Sequence, residues 1–249
     1  MNILLSNDDG ILARGIELLE EVCREVGTVT VVAPDREQSA SSHALTMLRP
    51  LRIEPRGERR YQVDGTPTDC VMVALGAIYT DAPDFVFSGV NHGTNMGEDV
   101  LYSGTVAAAM EGLSAGIPGV AFSFAGRDMS LLDTQRDWLK RLAIGVTAVD
   151  NFPEETLLNI NLPPIPGDEI RGIRVTSLGR RMYSGSLTQM QDPWGRDIYW
   201  IGGGTSSWSG GDDSDFRAVH DGFISVTPLH VDLTNYGLME EVRSWRLAE

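Results

Sequence analysis

Asp8 and Asp9 stand side by side directly after the apolar run Ile3 to Leu5, and Gly10 follows them. Two adjacent carboxylates at the end of a strand repel each other unless a proton or a cation lies between them, so the pair suits a hard divalent metal. The same residues also read as a plain Asp-Gly turn with Asp8 capping the next helix, and the pair alone leaves both readings open. A second stretch, Gly89 to Asp99, repeats Gly at every fourth position with Asn91 and Asn95 between. Such a loop frees backbone N–H groups to line an anion pocket. It leads to Ser103-Gly104-Thr105 at the start of an Ala-rich helical segment, whose terminal amides and dipole favour a phosphate. Turn-building Gly and Asn and a capping Ser would explain these residues one by one. A long Gly/Asn loop joined to a capped helix is more specific than either half.

These groups need a frame to bring them together. Ile3 to Leu5 reads as a buried strand, Ile16, Leu19, Cys23 and Val26 recur at helical spacing, and Thr28 to Ala33 is a second β-branched run. That is a βαβ unit, which implies parallel strands and a right-handed crossover. Ligands of such sheets collect at the carboxyl ends of the strands. One crevice would then receive Asp8 and Asp9, the loop Arg36 to Ser42 and the loop Ser88 to Ser103. Further along, Leu51 to Glu54 and Tyr61 to Val63 suggest a hairpin. Thr66-Pro67-Thr68-Asp69 opens a helix with Thr66 as N-cap and Asp69 as its box partner. Phe85 to Phe87, Gly119 to Phe124, Leu157 to Ile160 and Ile170 to Val175 read as strands, with a helix around Leu139 to Val149.

After about residue 178 the pattern changes. Tyr183, Trp194, Tyr199, Trp200 and Trp208 are scattered among Gly, Ser and Asp, which reads as hairpins and loops, followed by a strand at Phe223 to Val226 and a tail helix from Leu238 to Leu247. Gly202-Gly203-Gly204 leads into Ser and Trp rather than an apolar helix, so it reads as a mobile loop bordering the site and not as a dinucleotide fingerprint. The expected architecture is one α/β domain over residues 1–249. It is a three-layer α/β/α, Rossmann-like fold with a mostly parallel sheet, extended by hairpins and a tail over about 178–249. The aromatic content of that extension exceeds what one compact domain needs, so association as a homodimer or homotetramer is expected through it.

The totals exclude several classes. Among 249 residues, 35 Asp plus Glu face 20 Lys plus Arg, for a net charge of −15, which repels nucleic-acid polymers. Lys140 is the only lysine, so no phosphate-loop or Schiff-base lysine exists elsewhere. Met1 to Ser6 is strand-like rather than a basic region followed by an apolar stretch, and no segment is apolar enough to span a bilayer, so export and membrane partners are not expected. Cys23 and Cys70 both lie among apolar residues and fit buried thiols in the cytoplasm. His43 and His92 fall in the site loops and His220 and His230 do not; neither pair has the spacing of a zinc site.

Five separated blocks together resemble one family. They are Asn2 to Gly10, Ala33 to Ser39, Asp64 to Pro67 with Asp69-Cys70-Val71, Ser88 to Gly112, and Ser225 to Leu229. The chain resembles the survival-protein (SurE-type) nucleotidases, metal-dependent phosphatases acting on nucleoside monophosphates. The resemblance implies hydrolysis of 5′- and 3′-monophosphates, catalysis centred on Asp8 and Asp9, and one Mg2+ or Mn2+ per subunit. It implies ligation by Asp8, Asp9, Ser39 and Asn91, and a phosphate held by Asn95, Ser103, Gly104 and Thr105. Three rivals fit the sequence less well. An Asp-nucleophile phosphatase would show Asp-x-Asp and a later lysine. A signalling receiver would carry an acceptor Asp where this chain has Asn91. A nonenzymatic nucleotide-binding module would release no phosphate.

Overall fold

The computed structural model describes residues 1–184, 187–201, 205–245 and 247. The chain forms β1 (Asn2–Ser6), α1 (Arg14–Cys23), β2 (Thr28–Pro34), β3 (Ile53–Gly57), β4 (Arg60–Val63) and α2 (Pro67–Val73), which runs into a π-helical segment, Ala74–Ile78. Next come β5 (Phe85–His92), a 3-10 turn (Gly97–Leu101), α3 (Gly104–Ser114), β6 (Gly119–Phe124), α4 (Met129–Asp133), α5 (Arg136–Thr147), β7 (Thr156–Leu162) and β8 (Ile173–Val175). The C-terminal part holds β9 (Arg180–Ser184), β10 (Leu187–Gln191), β11 (Asp197–Ile201), β12 (Thr205–Ser209), α6 (Asp215–His220), β13 (Ile224–His230) and α7 (Met239–Ser244). The stretch Gly202-Gly203-Gly204 lies outside the described residues.

Nine strands form one sheet in the order β3-β4-β2-β1-β5-β6-β7-β13-β8. From β4 to β7 every neighbour is parallel, while β3, at one edge, is antiparallel to β4 and β13 is antiparallel to β7. The chain winds from β1 to β2 on one side and resumes at β5 on the other, so β1 and β5 flank the point where strand order reverses. Alternate side chains of β1 explain the layers. Ile3 and Leu5 pack into one core with Leu19 of α1 and Leu139 and Leu142 of α5, while Leu4 packs into another with Cys70, Val71 and Ala108 of α2 and α3. Each such side chain contributes ~1.5–3 kcal/mol of burial free energy, and a parallel strand covered on both faces needs an unbroken apolar run.

Local signals account for most boundaries. Thr66 Oγ1 accepts the Asp69 N–H at 3.1 Å and Asp69 Oδ2 accepts the Thr66 N–H at 2.8 Å, the expected capping box of α2. Helix α1 stops three residues before Val26, because the N–H groups of Val26 and Gly27 both turn back to the Cys23 carbonyl. Strand β5 runs past Phe87 to His92, where a loop was expected. A bulge between Ser88 and Asn91 lets the strand resume its pairing with β6, Asn91 opposite Ser123. Gly89 makes this possible, since at φ +127° a Cβ would stand 2.2 Å from the Phe122 carbonyl oxygen. The tail helix is shorter than Leu238 to Leu247: a 3-10 turn at Tyr236–Leu238 precedes the single short helix α7, and neither buries a residue. Among the described residues no helix is long and apolar enough to cross a membrane.

Candidate active site

The end of β1 is held by its own turn. Asn7 Nδ2 donates to the Gly10 carbonyl at 2.8 Å. Asp8 does not cap α1, whose N-cap is Ala13 without a side-chain bond. It points instead at the start of α3, where Thr105 donates its hydroxyl proton to Asp8 Oδ1. The approach requires a glycine at position 104, since a Cβ there would lie 2.8 Å from Asp8 Cβ. Burial pushes the Asp8 carboxyl up to about 6; the Thr105 hydroxyl opposes this and the Asp9 charge adds to it. Asp9 is raised too, again by burial first, although Oδ2 accepts the His92 N–H at 2.8 Å.

The loop after β2 is pinned from two sides. Gln38 donates its N–H to the Asp8 carbonyl at 2.7 Å, and Ser42 bonds the backbone entering α3, N–H to Tyr102 O at 3.0 Å and Oγ to Leu101 O at 2.7 Å. Ser39 between them donates to Glu37 Oε1 at 2.6 Å. His43 pairs with Glu111 of α3 at 2.8 Å and stands apart from the carboxylates. Ser103 caps α3, its Oγ accepting the Val106 N–H at 3.0 Å, so its own proton and the Gly104 and Thr105 amides point out of the helix.

A cleft of about 760 Å3 opens above these groups. Asp8, Asn95 and Ser103 form its buried wall, Ser39 and Asn91 also line it, and Tyr102 and Ile201 stand exposed at its rim. Asp9 faces a neighbouring hollow of about 260 Å3 with Glu37 and His92. Gly104 and Thr105 lie behind the wall, the Thr105 side chain wholly engaged with Asp8.

The residues present fit a hard cation. Asn91 turns its amide nitrogen to the Gly93 carbonyl at 2.9 Å, and the buried Asn7 Oδ1 and Ser41 Oγ have no partner among the described residues. Among the described residues neither carboxylate has an Arg or Lys beside it to answer its charge. Among the described residues no three His, Cys, Asp or Glu side chains converge on one point; a cation here would meet carboxylate and neutral oxygens, a donor chemistry that suits Mg2+ or Mn2+ better than zinc.

Residues 3–185 match the family described as Survival protein SurE. The chain belongs to the SurE family. A 5'-nucleotidase SurE of Gemmatimonas aurantiaca is 63% identical over 248 residues, covering 98% of each chain. Another, of Alkalilimnicola ehrlichii, is 46% identical over 245 residues, covering 98% of this chain and 95% of its own. The crystal structure of the SurE protein from Aquifex aeolicus matches with a TM-score of 0.86 at 40% identity, over 98% of both chains.

In this SurE chain the sequence reading missed what holds Asn95. Its N–H donates to Asn161 Oδ1 at 2.9 Å, its Nδ2 to Ser123 Oγ at 2.8 Å, and its carbonyl accepts from Asn159 at 2.7 Å and Asn161 at 3.1 Å. Asn159 lies in the strand expected at Leu157 to Ile160 and Asn161 just beyond it, within β7; both are fully buried. Two Asn at alternate positions of a central strand were the available signal, because a buried amide must find partners.

Proposed function

We propose that this SurE-family chain is a divalent-metal-dependent nucleotidase that hydrolyses nucleoside 5′- and 3′-monophosphates to nucleoside and phosphate. The observation that carries the reading is that an unanswered buried carboxylate, Asp8, and the amide-bearing start of α3 meet in one cleft. The names of the relatives, 5'-nucleotidase SurE, support the 5′ ester; the 3′ ester is the finer part of the proposal.

Asp8, Asp9, Ser39 and Asn91 would hold one Mg2+ or Mn2+ per subunit, Ser39 exchanging its bond to Glu37 for the ion. When bound, such an ion supplies Lewis acidity toward the phosphoryl group and toward the attacking water. The chain does the rest. Thr105 fixes the orientation of Asp8, and Asp9 is fixed by the His92 amide. Ser103 donates its hydroxyl proton to a phosphoryl oxygen, and the Gly104 amide faces the charge that grows in the transition state. Asn95, held through both its backbone and side chain, presents its remaining amide proton and oxygen to the cleft.

The exposed aromatic and aliphatic side chains of β10 and β11 support association of copies as a dimer or tetramer, and two buried free thiols, Cys23 and Cys70, support a reducing, cytoplasmic setting. The deciding experiment is phosphate release from a panel of nucleoside 5′- and 3′-monophosphates and sugar phosphates, with chelator, Mg2+ or Mn2+. Release from nucleotides only with metal is expected; full release in excess chelator ends the metal reading, and none from any nucleotide ends the function.

A further inference from the structure

The carboxylate of Asp215 is fully buried, lies outside the cleft and takes no part in the chemistry above. It faces three backbone donors from three parts of the chain. Oδ2 accepts the Gly97 N–H at 2.8 Å, and Oδ1 accepts the N–H groups of Gly179 at 2.9 Å and Phe216 at 2.8 Å. Gly97 belongs to the site loop, two residues after Asn95 and six before Ser103, and Gly179 directly precedes β9. The two segments touch: with φ +54° at Gly97, a Cβ there would meet the Gly179 carbonyl oxygen at 2.8 Å. One residue further, Glu98 Oε2 accepts the Arg181 N–H at 2.7 Å, and Asp99, which lines the cleft, pairs with the Arg181 guanidinium. Trp208 of β12 lies under that guanidinium and stacks on Phe216, ring centroids 5.5 Å apart.

A buried carboxylate is costly unless several donors meet it. As packing it is a poor choice; as an acceptor with two oxygens for three amides from separate segments it has no neutral equivalent. We propose that Asp215 is a positioning residue, which fixes Gly97 against the root of the β9–β12 hairpins and thereby sets Asn95, Asp99 and Ser103 at the cleft wall. The rate consequence rests on the nucleotidase reading; the structural consequence does not.

Asp215→Asn separates the three bonds. An amide oxygen can replace Oδ1 and keep Gly179 and Phe216, but the amide NH2 then meets the Gly97 N–H, donor against donor. By NMR-detected hydrogen exchange, the Gly97 amide should exchange faster by about tenfold or more while Gly179 stays protected. At saturating Mn2+, kcat should fall ~10- to 100-fold, since displacements of about 1 Å cost that much. Mn2+ affinity by calorimetry should hold, because Asp8 and Asp9 are carried by β1. Unchanged Gly97 exchange, or unchanged kcat with lower global stability alone, overturns the proposal, as does a loss confined to Mn2+ affinity. Should wild type hydrolyse no nucleotide, the function falls and the exchange comparison still decides Asp215. Should the variant not fold, wild type decides: a Gly97 amide exchanging as fast as that of Glu98 refutes the bond.

Discussion

The central sheet and the β10–β11 hairpin use similar residues under opposite conditions. In β5 and β6 both faces are apolar and both are covered, by α1 and α5 on one side and α2 and α3 on the other. In β10–β11 both faces are also apolar: Leu187, Tyr199 and Ile201 share one by the pairing register, Met190, Ile198 and Trp200 the other. There, all six are exposed, Ile201 at 92%. A two-stranded ribbon cannot bury either face alone. The contrast teaches that the sheet holds the cleft still while the hairpin leaves its apolar side chains uncovered within the chain, so damage to the two should read out differently.

The largest effects belong to the sheet side. Asp8→Asn or Asp9→Asn keeps shape but would remove charge from the shell of the proposed cation. Affinity for Mn2+ and turnover should fall together by more than ~100-fold, above the loss seen when only an outer partner of a ligand is removed. Calorimetry beside steady-state kinetics checks this, and normal binding with normal turnover means the metal lies elsewhere. Ser103→Ala should cost ~100-fold in rate at saturating metal and resist rescue by more metal, because it removes a donor to the transition state and no ligand. Rescue by excess Mn2+ would move Ser103 from the phosphate to the metal.

How much of this was legible follows the same divide. The Thr66 box and the Ser103 cap were readable because each rests on neighbours within four residues, and the βαβ opening because each of its elements carries its own local periodicity. The cleft's three loops were readable because parallel sheets deliver strand ends to one edge. What stayed hidden depends on distant partners: Asp215 bonding Gly97, Asn161 bonding Asn95, and Thr105 turning its hydroxyl to Asp8 when its position at a helix start suggested a phosphate. The bulge that carries Asn91 back onto β6 was also hidden, since Gly89-Val90-Asn91 reads equally as loop. The hairpins were recognised as hairpins from their turn residues, but exposure on both faces cannot be told from burial on both faces by residue type.

A smaller effect tests whether the cleft is built for an ion. Burial raises the Asp8 carboxyl from 3.8 to about 6, so between these values the folded chain binds more protons than the unfolded one. Its contribution to stability is therefore lost as pH rises through that window, to about 3 kcal/mol above it. In chelator, wild type should be less stable than Asp8→Asn at about pH 7.5 and gain on it as pH falls toward 4, since the variant lacks the titrating group. Saturating Mn2+ at about pH 7.5 should reverse the order. Urea melts of both proteins across pH supply the comparison; a difference that ignores pH and metal alike would mean the Asp8 charge is already answered within the chain.

The smallest effect on the fold is expected from the hairpin, and it separates the two regions most cleanly. Trp200 lies on the face of β11 opposite to Ile201 and is not among the described residues that line the cleft. Its exposure means that Trp200→Ser removes little burial within the chain, so unfolding free energy at a concentration low enough for monomer should change by less than about 0.5 kcal/mol. Association should nonetheless weaken, because an exposed aromatic on a ribbon without its own cover is the kind of residue that anchors an interface. Ile201→Ser on the other face should raise KM through the cleft rim with kcat nearly kept. Sedimentation, low-concentration melts and kinetics on the two variants read these terms separately. A Trp200→Ser chain that loses several kcal/mol as a monomer would show that the hairpin packs on its own domain and that its similarity to the sheet, not its difference, is what matters.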